Sequence, residues 1–538
     1  DYTTVKGEKW YDPRTSNGED ENGEVVKRIR EYKKMVWSNT LSYLTTFNNI
    51  HHLDFLAGYE IDDTYNDYLS GEAYNFTTPD KHAISNGMKT VSVGGSDSRY
   101  RLVSYLSRLN YDYKNKYYLG ASFRVDGSSR LHRDNRWGTF WSVSGAWRTI
   151  EEEFMQPVKD WLTDLRIRAS YGVNGTLPSD YFGYMGLSSI SGGYLEQPGI
   201  QMSQIANPNL KWETNYNMNI GLDFGFWDRL NFTIEYYTRT TKNLLMDCPV
   251  SMTTGFSSYL MNIGEVKNKG IELTINSTNI KIKDFNWNTT FNLGHNSNKV
   301  VKLDGEQTQI VSGTQIHKVG SSYRTFYVQE FAGINPETGN PLFYTNELDE
   351  NGNYIKEITE NSKNAQFIPY KHAEPTVNGG ISNSLRYKWL DLNFLFSYQF
   401  GGYSYDTWAQ KTEHGGYDSY ANIPTYYRDS WKKPGDQTNI EVYMPGKSSS
   451  VSMHKITSSR RIHSTDYFRL KNITFGITLP KEWTNKINIG NVRFYASASN
   501  LWTWAAYDNY DPEAVSAGSA TQTTPPLKTV TFGLNINF

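Results

Sequence analysis

The sequence contains very little cysteine, no excess of one charge and no long apolar run. Its single cysteine, Cys248, excludes an internal disulfide framework and a zinc site built from several cysteines. The 54 Lys and Arg residues are balanced by 56 Asp and Glu residues, which argues against a nucleic-acid binder held by bulk positive charge. No segment approaches the roughly 20 apolar residues of a membrane helix, so a helical membrane protein is excluded.

Aromatic side chains are abundant in this otherwise hydrophilic chain. The 40 Tyr, 25 Phe and 15 Trp residues make up 15% of the 538 positions, yet the mean hydropathy is −0.64. A membrane β-barrel combines these properties, because only alternate residues of each strand meet lipid. The composition is therefore compatible with an outer-membrane barrel.

Apolar and polar residues alternate along most of the chain. In the last segment Val530, Phe532, Leu534 and Ile536 share one face of a predicted strand, while threonine, glycine and asparagine occupy the other. This period of two is typical of strands with one apolar face. About fifteen strands are predicted, near 30–46, 50–66, 99–113, 117–127, 136–148, 162–174, 212–226, 229–243, 263–280, 285–299, 376–389, 390–404, 461–480, 489–504 and 525–538.

Short and long connections between these strands alternate. Short turns include Asn48-Asn49 and Trp227-Asp228. Long loops are predicted near 67–98, 175–211, 300–375, 405–460 and 505–524. Short turns on one side and long extracellular loops on the other are the pattern of an outer-membrane barrel. A soluble β-sandwich is the alternative, but tryptophans near strand ends, including Trp137, Trp212 and Trp389, favour the barrel because interfacial girdles are aromatic.

The two ends of the chain lead to further expectations. The sequence ends on Phe538 within a predicted strand, and a terminal aromatic is typical of an outer-membrane assembly signal. It begins at Asp1 without a recognisable leader. Because bacterial barrels have an even number of strands, an odd count of fifteen predicts further strands upstream. We therefore interpret residues 1–538 as the C-terminal part of a barrel of about 22 strands, with the plug domain outside this chain.

Several segments resemble SusC/RagA-type TonB-linked outer-membrane proteins along nearly the whole chain. They include Tyr117–Arg130, Arg136–Arg148, Leu165–Gly172, Asn268–Leu273, Gly333–Gly339, Asp466–Ile473 and Tyr510–Glu513. The resemblance implies a plugged 22-stranded barrel in the outer membrane of a Gram-negative bacterium. It also implies import of oligosaccharides or oligopeptides, a SusD-like surface lipoprotein as a lid, and energy from the TonB-ExbB-ExbD system through an N-terminal region that this sequence does not contain.

The sequence shows no pattern of catalytic residues. It contains no nucleophile elbow, no H-E-x-x-H zinc motif and no phosphate-binding loop, so we expect neither an enzyme nor a bound cofactor or metal. Two turns, 20–24 and 349–353, resemble calcium loops but lack the distal glutamate, and hairpin tips explain them equally well.

Aromatic and charged residues are concentrated in two of the predicted loops, 405–460 and 505–524. Flat rings stack on sugar faces, and carboxylates and arginines bind hydroxyls. The alternative is that these side chains pack the loops together or contact the lid, because tyrosine and tryptophan also dominate protein interfaces. A soluble carbohydrate-binding or adhesive β-protein is a further alternative. The predicted ligand or lid contacts are Trp408, Tyr417, Tyr420, Tyr426, Tyr427, Arg428, Tyr507, Asp508, Tyr510 and Asp511.

Overall fold

The computed structural model describes residues 1–194, 197–303, 308–416, 422–445, 456–487, 489–515, 517–520 and 523–537. Phe538, the predicted assembly signal, therefore lies outside the described residues, as do Tyr417 and Tyr420. Within the described residues, none of the helices has the length and hydropathy of a transmembrane helix.

Long strands dominate the structure. Sixteen of them form the main sheet in the described part of the chain: β1 (Tyr2–Tyr11), β2 (Glu24–Phe47), β3 (His51–Phe76), β4 (Gly87–Tyr113), β5 (Tyr117–Ser128), β6 (Trp137–Trp147), β7 (Leu162–Thr176), β8 (Glu213–Phe226), β9 (Leu230–Lys242), β10 (Glu265–Lys281), β11 (Phe285–Lys302), β12 (Val377–Tyr387), β13 (Leu390–Phe400), β14 (Tyr467–Thr478), β15 (Asn491–Ala505) and β16 (Thr529–Asn537).

All fifteen predicted strands are present, and β1 is an additional one. With β1 the main sheet has sixteen strands, which is an even number. The prediction of further strands upstream can therefore no longer rest on an odd strand count. Most of β1 is exposed and it has no apolar face, so its sequence carries no alternating signal.

The remaining elements are short and lie in the connections. The minor strands are Leu187–Tyr194, Gln197–Gln204, Leu245–Pro249, Ser258–Asn262, Gln309–Ser312, Gln315–Lys318, Thr325–Gln329, Phe331–Ile334, Pro341–Tyr344, Glu347–Leu348, Tyr354–Ile355, Ile358–Thr359, Phe367–His372, Tyr403–Asp406, Ile462–Ser464 and Ser519–Ala520. The helices are α1 (Thr407–Thr412), α2 (Lys481–Thr484) and the 3-10 turns Ile84–Asn86, Thr149–Glu151, Glu153–Val158, Met252–Thr254, Ser362–Asn364, Thr425–Asp429, Ser459–Arg461, Asn485–Ile487 and Pro512–Ala514.

Strands of the main sheet neighbour each other in chain order, as expected of an up-and-down arrangement. The β2–β3 and β10–β11 pairs are antiparallel over almost their whole length. Both central residues of the turn Asn48-Asn49 have positive φ, as do both in Trp227-Asp228. Two consecutive left-handed residues define the turn whose twist matches that of a β-hairpin. These two turns, both predicted from the sequence, thus have hairpin geometry.

The connection between β3 and β4 is shorter than predicted. Strands occupy most of the expected loop 67–98, leaving only residues 77–86 between them. Residues 67–76 mix polar, small, aliphatic and aromatic side chains on both faces, so no apolar period marks them as a strand. A strand that extends beyond the lipid does not need an apolar face, and this explains why the pattern fails there.

The structure divides into two compact units. The first comprises residues 1–146, 170–216 and 241–263. One of its apolar clusters contains Leu131, Phe140, Leu210 and Trp212. Leu210 and Trp212 belong to the long connection between β7 and β8. The Arg130 guanidinium lies 4.0 Å from the ring centre of Tyr100 and 4.4 Å from that of Tyr181, which anchors this connection through cation–π contacts.

The second unit comprises residues 147–169, 217–240 and 264–538. Its strands separate a polar from an apolar face. On β13, Leu392, Phe394, Phe396 and Tyr398 share the apolar face, and Gly379 of β12 pairs directly with Tyr398. A Cβ atom at Gly379 would lie 2.5 Å from the Tyr398 hydroxyl oxygen, so glycine is needed for the ring to cover the neighbouring strand.

Candidate functional site

Three long connections of the second unit meet in a common core. They are the β11–β12 connection (303–376), the β13–β14 connection (401–466) and the β15–β16 connection (506–528). Strand Tyr403–Asp406 pairs antiparallel with Ile462–Ser464 and parallel with Ser519–Ala520. The apolar cluster beside it contains Phe326, Val328, Tyr405 and Ile462. We refer to these three connections together as the loop block.

Asp406 is the polar centre of this block. Its side chain is almost fully buried and accepts three hydrogen bonds. The Ala409 N–H donates at 2.8 Å and caps α1, while the Tyr507 hydroxyl donates at 2.9 Å and the Asn509 amide at 3.1 Å. A buried carboxylate is tolerated only when it is hydrogen-bonded in this way. Asp406 therefore joins the 401–466 and 506–528 connections.

Two predicted ligand residues, Tyr507 and Tyr510, pack against this centre. The Tyr507 ring stacks on His463 with centroids 3.7 Å apart, and the Tyr510 hydroxyl is hydrogen-bonded to that of Ser404. Burial raises the pKa of Tyr510 to about 12, although the bond to Ser404 opposes the shift. Burial, reinforced by the Asp406 carboxylate, also raises the pKa of Tyr507. Burial lowers the pKa of His463, against the opposing effect of Asp406.

The raised pKa values of Tyr507 and Tyr510 predict that the loop block becomes less stable at alkaline pH. An unfolded tyrosine ionises near pH ~10, whereas Tyr510 in the block keeps its proton up to about pH 12. The stabilisation is complete below the unfolded pKa and is lost as pH rises through the folded one. Hydrogen exchange of residues 506–528 should therefore accelerate, beyond the intrinsic base-catalysed rate, above pH ~10. In the double variant Tyr507→Phe/Tyr510→Phe this additional acceleration should be absent. If the exchange of the double variant depended on pH in the same way as that of the wild type, the two tyrosines would not be the groups responsible.

A second buried cluster holds the 401–466 connection. Arg461 has no exposed surface and pairs with Glu413 at 3.2 Å, while Arg460 pairs with the fully buried Glu441 at 3.3 Å. The Tyr426 hydroxyl donates to Glu413, and the Tyr427 hydroxyl donates to Glu441 at 2.9 Å. The hydroxyl groups of both predicted tyrosines are thus engaged within the connection itself.

Arg469 anchors the 506–528 connection to β14. Its side chain is 3% exposed and pairs with Asp511 at 2.5 Å and with Glu513. It also donates to the Thr503 hydroxyl at 2.9 Å. The Asp511 carboxylate additionally caps the turn that follows by accepting from the Glu513 N–H at 2.9 Å. Asp511, a predicted ligand residue, is therefore occupied by contacts within the protein.

A cavity of about 700 Å³ lies beside this anchor. Among its lining residues are Trp408, Trp504, Asp508, Tyr510 and Lys528. The indoles of Trp408 and Trp504 are 38% and 48% exposed, and Asp508 is exposed as well. Flat apolar rings beside a carboxylate suit the C–H faces and hydroxyls of a sugar or the side chains and amides of a peptide.

The structure brings together a subset of the predicted residues. Trp408, Asp508, Tyr510 and Asp511 line the cavity, and Tyr507 lies on the adjoining Asp406. Arg428 is exposed on the turn Thr425–Asp429. Tyr417 and Tyr420 fall outside the described residues.

Other important residues in the block carried little signal in the sequence. Arg460-Arg461 is an adjacent pair of cations of the kind usually solvated, yet Arg461 is fully buried and the Arg460 side chain is only 13% exposed, and both pair with carboxylates. Arg469 follows an alternating strand pattern, and its partner Asp511 is 42 residues away in the chain. In the sequence, only the clustering of tyrosine, tryptophan and aspartate indicated that the loop block is a candidate site.

Comparison with known proteins places the chain in a family. The profile described as "TonB dependent receptor-like, beta-barrel" matches residues 2–348. This chain belongs to the β-barrel family of TonB-dependent receptors. Members of this family are outer-membrane proteins of Gram-negative bacteria, which agrees with the fold and location expected from the sequence.

Individual TonB-dependent receptors extend the similarity over nearly the whole chain. TonB-dependent receptor P3 of Formosa agariphila is 32% identical over 96% of this chain and 53% of its own length. TonB-dependent receptor SusC of Bacteroides thetaiotaomicron is 29% identical over 96% of this chain and 51% of its own length. In the structure of the RagAB peptide transporter, one chain is 26% identical with a TM-score of 0.87, over 100% of this chain and 59% of that one. The chain thus spans about half the length of these curated relatives.

Proposed function

We propose that the full-length protein containing this chain is a TonB-dependent importer of oligosaccharides, capped by a SusD-like surface lipoprotein. The observation that carries the proposal is the similarity to SusC and the RagAB transporter along essentially the whole chain. The barrel supplies a polar wall, and the loop block lies on the long-loop side, where cargo enters a barrel of this type. Energy is expected from the TonB-ExbB-ExbD system through the region that carries the plug.

The oligosaccharide assignment is supported by the cavity beside Arg469. The exposed groups of its lining include the two indoles and the Asp508 carboxylate. A side-chain oxygen of Asn500, also in the lining, is buried and has no hydrogen-bond partner among the described residues. Rings with hydrogen-bond acceptors around them are complementary to a pyranose, which offers C–H faces and hydroxyl donors.

Oligopeptide import is the second candidate. It is favoured by one specific observation, because a solved structure similar to this chain over its full length is that of a peptide transporter. A peptide offers N–H donors and apolar side chains to the same cavity, so the architecture serves either cargo.

Uptake by cells separates these candidates. A strain lacking the full-length protein should fail to accumulate labelled neutral oligosaccharides, and complementation should restore an uptake that a protonophore abolishes. The double variant Trp408→Ala/Asp508→Asn should lower the initial uptake rate about tenfold, the equivalent of losing one good aromatic contact and one hydrogen bond. Trp483→Ala is the matched control, because Trp483 is 60% exposed on α2 in a short connection.

The outcomes are distinct for each cargo. Loss of peptide uptake alone in the deletion strain would replace the oligosaccharide proposal with the peptide one. Normal uptake of both cargo classes in that strain would contradict the import proposal altogether.

A further inference from the structure

Three exposed lysines lie together at the long-loop end of β10 and β11. Lys267 pairs directly across the ladder with Lys299, and Lys269 follows two residues later on the same face, opposite Ser297. All three side chains are exposed. Within the part of the chain that the structure describes, their ammonium groups form no ion pair and no hydrogen bond.

The same face continues directly into the apolar belt of the barrel. Below the lysines, Ile271 pairs with His295, Leu273 with Leu293 and Ile275 with Phe291. Neighbouring strands extend this face with Ile381 on β12 and Phe396, Tyr398 and Phe400 on β13. An apolar face ending in aromatic rings is the lipid-facing surface of a barrel at its interface with the headgroups. The lysines therefore lie on the outward surface, not on the lumen wall.

The spacing places the ammonium groups at headgroup depth. A strand rises about 3.4 Å per residue, so Lys269 lies about 7 Å and Lys267 about 14 Å beyond Ile271 along β10. Lysine stems can lie along apolar surface while the charge reaches the polar region of the membrane.

Placing two lysines directly opposite each other is unfavourable for the sheet itself. Like charges at facing positions repel and reduce the stability of a strand pair. An anion between them removes that repulsion, and a phosphate offers several acceptor oxygens to ammonium donors. Anionic headgroups in the adjoining leaflet provide such anions at the right depth.

We propose that Lys267, Lys269 and Lys299 form a binding site for the phosphate groups of outer-leaflet lipid. The site holds a phosphorylated lipid such as lipid A against the β10–β11 wall, with its acyl chains on the Ile271–Leu293 face. The proposal concerns the outer surface and goes beyond transport of cargo through the lumen.

Lipid retention by the full-length protein tests the site. The detergent-extracted protein is mixed with equal amounts of diphosphoryl lipid A and its dephosphorylated counterpart, and bound lipid is counted by native mass spectrometry. The wild type should prefer the phosphorylated lipid at least about fivefold, since one basic residue near a charged membrane surface contributes about 1 kcal/mol. The variant K267Q/K269Q/K299Q should lose this preference. Variant K363Q/K432Q/K433Q makes the same charge change at exposed loop positions and should keep it.

Several results would overturn the proposal. The first is an equal preference for the phosphorylated lipid in the wild type and K267Q/K269Q/K299Q. The second is displacement of the lipid by an equal concentration of inorganic phosphate, because this would identify a site for free phosphate. The third is loss of a bound lipoprotein with unchanged lipid retention in the triple variant, because the lysines would then contact a protein partner. Heat-modified electrophoretic mobility of each variant confirms that its barrel has folded.

Discussion

Replacing Arg469 by alanine is expected to destabilise the 506–528 connection by about 3–5 kcal/mol, the usual cost of removing one partner from a buried ion pair. Asp511 and Glu513 would be left facing each other without their shared cation. Tyr507 and Tyr510 lie on the same connection, so their contacts with Asp406 and Ser404 should weaken together.

Hydrogen exchange measured by mass spectrometry checks this prediction. Amides of residues 506–528 should exchange about 100-fold faster or more in Arg469→Ala, as expected from the loss of about 3 kcal/mol of local stability. Arg469→Lys keeps the charge but loses the guanidinium fork, so it should give an intermediate rate. Arg428→Ala is the matched control, because Arg428 is exposed. If Arg469→Ala exchanged like this control, Arg469 would not anchor the connection.

Replacing Glu441 by alanine is expected to have a similar effect on the 401–466 connection. The change removes the nearer of the two carboxylate partners of Arg460, which also lies 3.7 Å from Glu413, and it removes the acceptor of the Tyr427 hydroxyl. Removing one partner from a buried ion pair costs about 3–5 kcal/mol, and Glu413 at 3.7 Å offsets part of this cost. Residues 425–431 should therefore become accessible to protease. Glu441→Gln retains an acceptor for Tyr427 and should be cleaved more slowly than Glu441→Ala.

Limited proteolysis of the folded protein distinguishes these variants. Glu337→Ala is the control, because Glu337 is an exposed carboxylate in the same loop block. Cleavage of Glu441→Ala at the wild-type rate would mean that the Arg460–Glu441 pair does not determine the stability of the connection.

Strands that carry an apolar face were predictable because lipid requires one apolar residue at every second position. The segment 529–537 is an example, with Val530, Phe532, Leu534 and Ile536 on the exposed apolar face of β16. This requirement ends where the strands leave the membrane. Strand β1 and the distal part of β3 mix polar and apolar residues on both faces, so their sequences gave no indication of strand structure.

The position of the loop block was predictable from its aromatic residues, but the roles of individual side chains were not. A tyrosine on a loop can face cargo or complete a buried carboxylate, and the sequence is the same in both cases. Tyr427 is committed to Glu441, whereas Trp408 remains partly open at the cavity. Pairs such as Arg469–Asp511 join distant parts of the chain and depend on the sheet that brings them together.

The native particle extracted from the outer membrane in detergent provides the most direct test of the importer proposal. Its mass is measured and its peptides are identified. An importer of this type should give a particle much heavier than this chain alone, containing plug-domain peptides and a surface lipoprotein in a fixed ratio to the barrel. A lone chain that is soluble without detergent and associates with no lipoprotein would contradict it.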